Sequence, residues 1–395
     1  VTPLPLLFAG CGLILAGGLA VLGLARWPAV ADRVYAVLLV LGALLGVGAA
    51  GVVLGGSPAP SVSFTGSLPG GPWVFGLDSL SAWFVLPFLA VGGCAGVFGV
   101  GYLRPERGHH AVGPAHALFA VLLVALIGVL TAQAVMPFLV AWEVMALGAY
   151  LLIMFEHKHA EVRRAGFIYV ALTHVSTLAL LAMFAALSVP ADGRTFDALS
   201  AANQVAGPVR TLALLLALLG FGVKAGAIPL HVWLPGAHSV APSHVSAVLS
   251  GLMLKLGIYG LLRVLMLAGA APAWLGWTLF GVGLMSGILG VLWALAERDL
   301  KRVLAYSSVE NLGIIMLSMG MGVLGVAYSR PAVALLGFVA ALLHSLNHAL
   351  FKSLLFLGAG AVLRATGTRM IDQLGGLARP LPWTAAVFGV GAVAI

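Results

Sequence analysis

Apolar residues occur in blocks of about twenty, the length an α-helix needs to cross a ~30 Å hydrocarbon layer, and short polar stretches part the blocks. Membrane spans are therefore expected at 4–25, 33–55, 79–102, 114–133, 136–155, 165–187, 209–228, 244–268, 275–296, 303–323 and 332–363, with a twelfth starting near Trp383. From Trp383 to Ile395 is only 13 residues, about 20 Å of helix. The expectation is that the protein continues past Ile395, and the initial Val1 points to a non-standard start or a missing beginning. No basic region precedes the first block, so it reads as a span and not as a signal peptide. The 55–78 loop is rich in Gly, Pro and Ser and nearly uncharged.

One stretch breaks the pattern. Between Leu212 and Arg263 two apolar blocks carry Lys224 and Lys255 at depth, with Pro229, Pro235, Gly236, Pro242, His231, His238 and His244 between them. Irregular backbone at membrane depth survives only where protein or a water-filled cavity surrounds it, and buried lysine is costly there.

With 62% hydrophobic and only 8% charged residues, the chain belongs to the all-α polytopic membrane class. The net charge of +8 could suggest nucleic-acid binding, but its distribution follows topology. With the N-terminus outside, the inner loops hold Arg26, Arg33, Arg104, Arg107, Lys158, Arg163, Arg164, Arg298, Lys301, Arg302, Arg364, Arg369 and Arg379. The outer loops hold only Arg194, Arg210 and Arg330, the bias of the positive-inside rule. Cys11 and Cys94 lie apart in apolar runs and read as small buried hydrophobes, with no zinc or cluster spacing.

The ionisable residues left inside spans are each a functional hypothesis. Glu143 is set near the middle of the fifth span, with Lys224 as its natural counter-charge: a proton-handling pair, or a static ion pair pinning two helices. Lys224 precedes the break at Ala227-Ile228-Pro229, where proline frees backbone groups that need partners. Lys255 is mid-span, and His244 falls on nearly the same helix face, as a relay or as a loop-lining residue near the inner interface. His174, in THVST, is a relay residue or a satisfied core histidine. His344, His348 and Lys352 are spaced i, i+4, i+8, one basic stripe suited to relaying protons. Metal binding and structural polar packing are the alternatives, though no carboxylate or cysteine nearby in sequence completes a metal site. Glu310 either lines an inner cavity or pairs with a lysine.

The stretches GVKAGAIPLHVWLPGAHSVAPSHVSAVLSG, RDLKRVLAYSSVENLG and HSLNHALFKSLLFLGAGAV resemble the proton-conducting, antiporter-like membrane subunits. These occur in complex I, Mrp-type cation/proton antiporters and membrane-bound [NiFe] hydrogenases. SVEN and LNHALFKSLLFLGAG look most like the hydrogenase-4 and formate hydrogenlyase branch. The resemblance runs from about Phe75 onward. It implies two inverted five-helix repeats: an N-terminal segment at 1–113, a first repeat at 114–268 broken near 224–235, and a second repeat starting at 269 and incomplete at 395. It places the family's fifth-helix glutamate on Glu143, its broken-helix lysine on Lys224, its eighth-helix lysine on Lys255, and its central eleventh-helix residues on His344, His348 and Lys352. The ionisable residue of the second broken helix is expected beyond Ile395. The implied function is proton translocation within a redox complex of the prokaryotic cytoplasmic membrane. The chain itself has no residues spaced for iron–sulfur clusters, nickel or a nucleotide, so iron–sulfur and nickel–iron centres are expected on partners: a peripheral redox arm beside other membrane subunits. A sodium/proton antiporter subunit and a complex I subunit are the alternatives. The few carboxylates in the spans favour protons over sodium, a hard cation that prefers oxygen ligands.

Overall fold

A computed structural model describes residues 2–64, 71–202, 207–269 and 271–395. Among them, eleven helical segments are long and apolar enough to cross a membrane. In chain order the helices are α1 (Pro3–Gly23), α2 (Pro28–Leu54), α3 (Ser79–Leu103), α4 (Val112–Thr131), α5 (Val135–Ile153), α6 (Ala160–Ser188), the short α7 (Phe196–Ala202) and α8 (Pro208–Ala225). There follow α9 (Trp233–Val240), α10 (Ser243–Val248), α11 (Leu254–Leu267), α12 (Ala273–Ala296), α13 (Leu300–Ala327), α14 (Pro331–Thr366) and α15 (Pro382–Val393). Every span read from the apolar blocks is present. Three small elements were not expected: α7, the helix α9 within the break, and an antiparallel pair β1 (Val62–Phe64) and β2 (Trp73–Phe75) in the 55–78 loop.

The Ser243–Leu267 segment is the centre of the bundle, buried along its full apolar window. It joins α10 to α11 through a π-helical turn at Leu249–Met253. The neighbouring spans keep an outward apolar face, as in Leu178 and Leu181 on α6 and Trp277, Ile288 and Leu295 on α12. Such a face fits hydrocarbon. Cys94 is exposed on α3, against the expectation of a buried small hydrophobe, because its helix turns that side outward.

In lipid, helices associate through close packing of small residues. Gly276, Gly283 and Gly290 recur every seventh residue on α12; Gly276 meets Gly320, Gly283 meets Gly313, and Gly290 meets the Glu310 backbone on α13. A Cβ at Gly313 would lie 2.6 Å from the Gly283 carbonyl oxygen. The two backbones touch, so no side chain can move away to make room. Gly313→Val should therefore destabilise the protein by about 3 kcal/mol, the upper end for overpacking. Gly281→Ala, where a Cβ meets nothing within 4 Å, should leave it unchanged. Thermal unfolding of the purified variants in detergent measures both.

Candidate functional site

The broken helix sets the geometry. α8 ends at Gly226, whose φ of 74° is left-handed backbone that glycine adopts without strain. Pro229 lacks an N–H, so the chain unwinds until Trp233. Two of the groups at the break find partners. The Trp233 indole donates to the Val223 carbonyl at 2.9 Å, and the Ile228 N–H donates to Ser286 Oγ on α12 at 3.1 Å. Lys224, in the last turn of α8, is 1% exposed. Its Nζ lies 5.5 Å from the ring centres of both Trp142 and Tyr169, and it donates to the Tyr169 hydroxyl at 3.4 Å.

Glu143 does not form the expected direct pair with Lys224. Its charge reaches that lysine, but among the described residues its ion-pair contact is His174 Nε2 at 3.4 Å, and it accepts from Thr177 Oγ1 at 2.8 Å. The reason is helix phase. Glu143 and His174 lie on outward faces of α5 and α6, the His174 side chain 52% exposed. His174 is thus no satisfied core histidine; it forms a polar island with Glu143 on the flank of the bundle. Its Nδ1 also contacts the Val170 carbonyl at 2.8 Å.

Lys255 begins the regular helix after the π turn. The wider turn re-aims the Ser250 carbonyl, which accepts from Lys255 Nζ at 2.7 Å. Ser250 Oγ in turn sits 2.7 Å from Ser308 Oγ on α13. The adjacent Ser307 Oγ accepts from Lys352 Nζ on α14. Asn311 closes the group, donating to the Ser307 carbonyl at 2.8 Å while its Oδ1 meets His344 Nε2 at 2.9 Å. Ser307 and Ser308 both donate to the Leu304 carbonyl, so Lys255 and Lys352 each contact one polar cluster spread over three helices, and the basic stripe of α14 is tied to the same cluster. The His344 and His348 rings are stacked, with centres 6.5 Å apart. Glu310, half-buried on α13, is the carboxylate whose charge reaches Lys352. Between Lys224 and Lys255 the link is weaker: the Tyr169 hydroxyl meets Met253 Sδ at 3.7 Å, a poor acceptor.

His244 is fully buried in the first turn of α10, just past the Ala241-Pro242 gap, against Phe119 and Tyr102, and makes no hydrogen bond to the Lys255 cluster. Both ring nitrogens of His238, His244 and His348 lack a hydrogen-bond partner among the described residues. Leaving such buried groups unpaired costs about 1–3 kcal/mol each, so they are natural binding points for internal water.

Lys301 corrects the charge map. The loops predict it as an inner-loop residue. It is instead 1% exposed in the first turn of α13, because Asp299 caps that helix and turns Lys301 inward. Its Nζ donates to the Ala241 carbonyl, at the gap between α9 and α10. It lines a cavity of about 710 Å³ whose walls include Glu106, Glu156, Glu161, Arg364 and Arg369. His238 lies within electrostatic reach of Lys301, Lys255 and Lys352. Sequence reasoning missed Lys301, Tyr169, Ser250, Ser307 and Ser308. Only the Ser307-Ser308 doublet left a signal, as adjacent hydroxyls in an apolar block.

At the opposite end of α11, Arg263 is 5% exposed and binds both oxygens of Asp78, at 2.5 and 2.9 Å. The same guanidinium reaches Ser81 Oγ and the Tyr259 hydroxyl. Asp78 also caps α3 by accepting from the Ser81 N–H at 2.8 Å.

With this geometry in hand, the relatives can be placed. The transmembrane family described as NADH:quinone oxidoreductase/Mrp antiporter matches residues 132–395. An uncharacterized protein of Mycobacterium tuberculosis is 41% identical over 88% of this chain and 54% of its own length. Hydrogenase-4 component B of Escherichia coli is 38% identical over 81% of this chain and 48% of its own length. The structure of the Mrp complex from Dietzia superposes with a TM-score of 0.83 at 27% identity, over 99% of this chain and 41% of that one. The chain spans about half the length of the curated relatives it matches. It belongs to the NADH:quinone oxidoreductase/Mrp antiporter transmembrane family. More particularly, it is an antiporter-like, multi-pass membrane subunit of the kind shared by complex I, Mrp antiporters and membrane-bound hydrogenases.

Asp78 lends itself to a pH test. Burial alone raises its carboxyl, but the hydrogen bonds and charge of Arg263 outweigh it and hold the group below the usual carboxylate range. A depressed carboxyl adds stability above its unfolded pKa of about 3.9, lost as pH falls through the folded value. Asp78→Asn should cost about 2 kcal/mol at neutral pH, less than a fully buried pair because the Asp78 side chain is 40% exposed. Thermal unfolding against pH should show variant and parent converging in acid.

Proposed function

We propose that the chain is a proton-translocating subunit of a membrane-bound redox complex of the hydrogenase-4/formate hydrogenlyase type. The observation that carries this reading is the buried polar cluster between Lys255 and Lys352, built from the Ser250 carbonyl and the Ser250, Ser308 and Ser307 hydroxyls, with internal water needed to bridge its members. A lysine held by neutral partners can gain or lose a proton without breaking an ion pair. One pKa unit is about 1.4 kcal/mol, so modest movements of Glu143 and Glu310 are enough to switch Lys224 and Lys352. Protons taken up from the 710 Å³ cavity at Lys301 would meet His238 and pass to the lysine line, with internal water bridging the unpaired histidines. Water is also needed between Lys224 and Lys255, where Met253 interrupts the side-chain route.

In this reading Glu143, Lys224, Lys255, His344, His348, Lys352 and Glu310 form the proton path, with His174 tuning Glu143 and His244 holding water beside it. In this reading the chain divides at 1–113, 114–268 and 269–395 into an N-terminal segment, a first five-helix repeat and the start of a second, inverted repeat. The redox chemistry and its iron–sulfur and nickel–iron centres reside on partner subunits. The complex lies in a prokaryotic cytoplasmic membrane, with this chain's N-terminus outside. Similarity to hydrogenase-4 component B supports the hydrogenase assignment, and nickel co-purifying with the assembly tests it; flavin mononucleotide without nickel would point to complex I.

The likeness to the Mrp complex favours a second reading, a sodium/proton antiporter subunit. Sodium-driven proton exchange in vesicles containing the isolated protein would select it.

Lys224→Ala should abolish proton translocation in vesicles, read by a pH-sensitive dye, while the assembly still forms by size-exclusion chromatography. Undiminished translocation by an assembled Lys224→Ala complex would sink the relay.

A further inference from the structure

The polar groups of the proton path do not account for a second cavity, of about 370 Å³, where the N-terminal end of α4 meets the C-terminal end of α5. Its walls are of two kinds. One side carries His109, His157 and Lys158, and no carboxylate lines it among the described residues. The other side is apolar, formed by Pro114, Leu118 and Leu151 among others. The basic side is built and not loose. Arg163 Nη1 donates to the carbonyls of both His157 and Lys158, at 3.0 and 2.7 Å, fixing the turn that presents them. The His110 ring packs on Phe155 with centres 4.9 Å apart, pinning the facing loop.

The apolar side does not end at the cavity. Val140, Val144, Leu147 and Leu151 are all exposed on α5. Their spacing of i, i+4, i+7 and i+11 makes them one stripe, running from the cavity toward the middle of the span. A basic pocket at a helix end, opening onto an exposed apolar track about 16 Å long, has the two-part chemistry of a phospholipid. Lys158 offers charge and the imidazoles offer N–H donors to a phosphate. The stripe offers a surface to an acyl chain. Basic pockets between membrane helices commonly hold anionic headgroups.

We propose that this corner binds one anionic glycerophospholipid, its phosphate against His109, His157 and Lys158 and an acyl chain along the α5 stripe. A free phosphate shares the headgroup chemistry but has no use for the stripe. The test uses the full-length protein in its assembly, reconstituted into phosphatidylcholine vesicles with or without phosphatidylglycerol, extracted gently and weighed by native mass spectrometry. The parent should retain one phosphatidylglycerol that zwitterionic lipid does not replace. Lys158→Gln should weaken retention about fivefold, the effect of one basic charge near a membrane surface. The triple variant His109→Gln, His157→Gln, Lys158→Gln should abolish it, and Lys158→Arg should preserve it. Leu151→Gln, which leaves every basic group in place, should also loosen the lipid. Equal retention by parent and triple variant, or equal retention of the two lipids, overturns the site. Displacement by inorganic phosphate, with Leu151→Gln without effect, overturns the lipid in favour of a free anion.

Discussion

Everything in this bundle follows from placing lysine ammonium groups where water cannot freely solvate them. Lys224, Lys255 and Lys352 are each 1% exposed or less, and the effective cost of moving an ion out of water is several kcal/mol even after relaxation. Carboxylates could offset that cost, yet among the described residues no ion pair within 4.0 Å reaches any of the three. The partners are neutral instead: two aromatic faces and a phenol at Lys224, a carbonyl at Lys255, a hydroxyl at Lys352. A carboxylate that close would fix the charge in place. Neutral acceptors tolerate either protonation state, and the more distant Glu143 and Glu310 can then act as variable influences.

Such partners exist only because the helices are irregular. A regular α-helix spends its carbonyls on its own N–H groups. The unwound stretch after Gly226 spreads polar groups toward Trp233 and Ser286, and the π turn at Leu249–Met253 turns one carbonyl toward Lys255. One irregularity precedes the buried central span and the other lies within it, so both shape the lysine environment. The gap at Ala241-Pro242 is a third opening of the same kind, where Lys301 finds the Ala241 carbonyl.

The outer surface obeys a different balance. Where the bundle meets hydrocarbon its faces are apolar, and polar groups there come as closed sets. Glu143, His174 and Thr177 satisfy one another on the flank, which offsets part of the cost of polar groups there. Asp78 and Arg263 close the far end of α11, while the basic corner between α4 and α5 stays open.

The sequence alone determined the spans, the break, and the three deeply buried lysines Lys224, Lys255 and Lys352. Those follow from local rules: the length needed to cross a membrane, the missing N–H of proline, and the rarity of charge in apolar blocks. It could also show that His344, His348 and Lys352 share a stripe, since helical spacing fixes that within one element. It could not show which groups meet across elements. The pairing of Glu143 with His174 in preference to Lys224 depends on the rotational phase of α5, α6 and α8. The inward turn of Lys301 depends on the cap at Asp299. The link from Lys255 to Lys352 depends on serines that are unremarkable in sequence, because a hydroxyl can always bond back to its own helix. Only the packing of α11, α13 and α14 decided that Ser250 meets Ser308 and that Ser307 meets Lys352. Small residues carry no long-range signal until their helices are brought into contact.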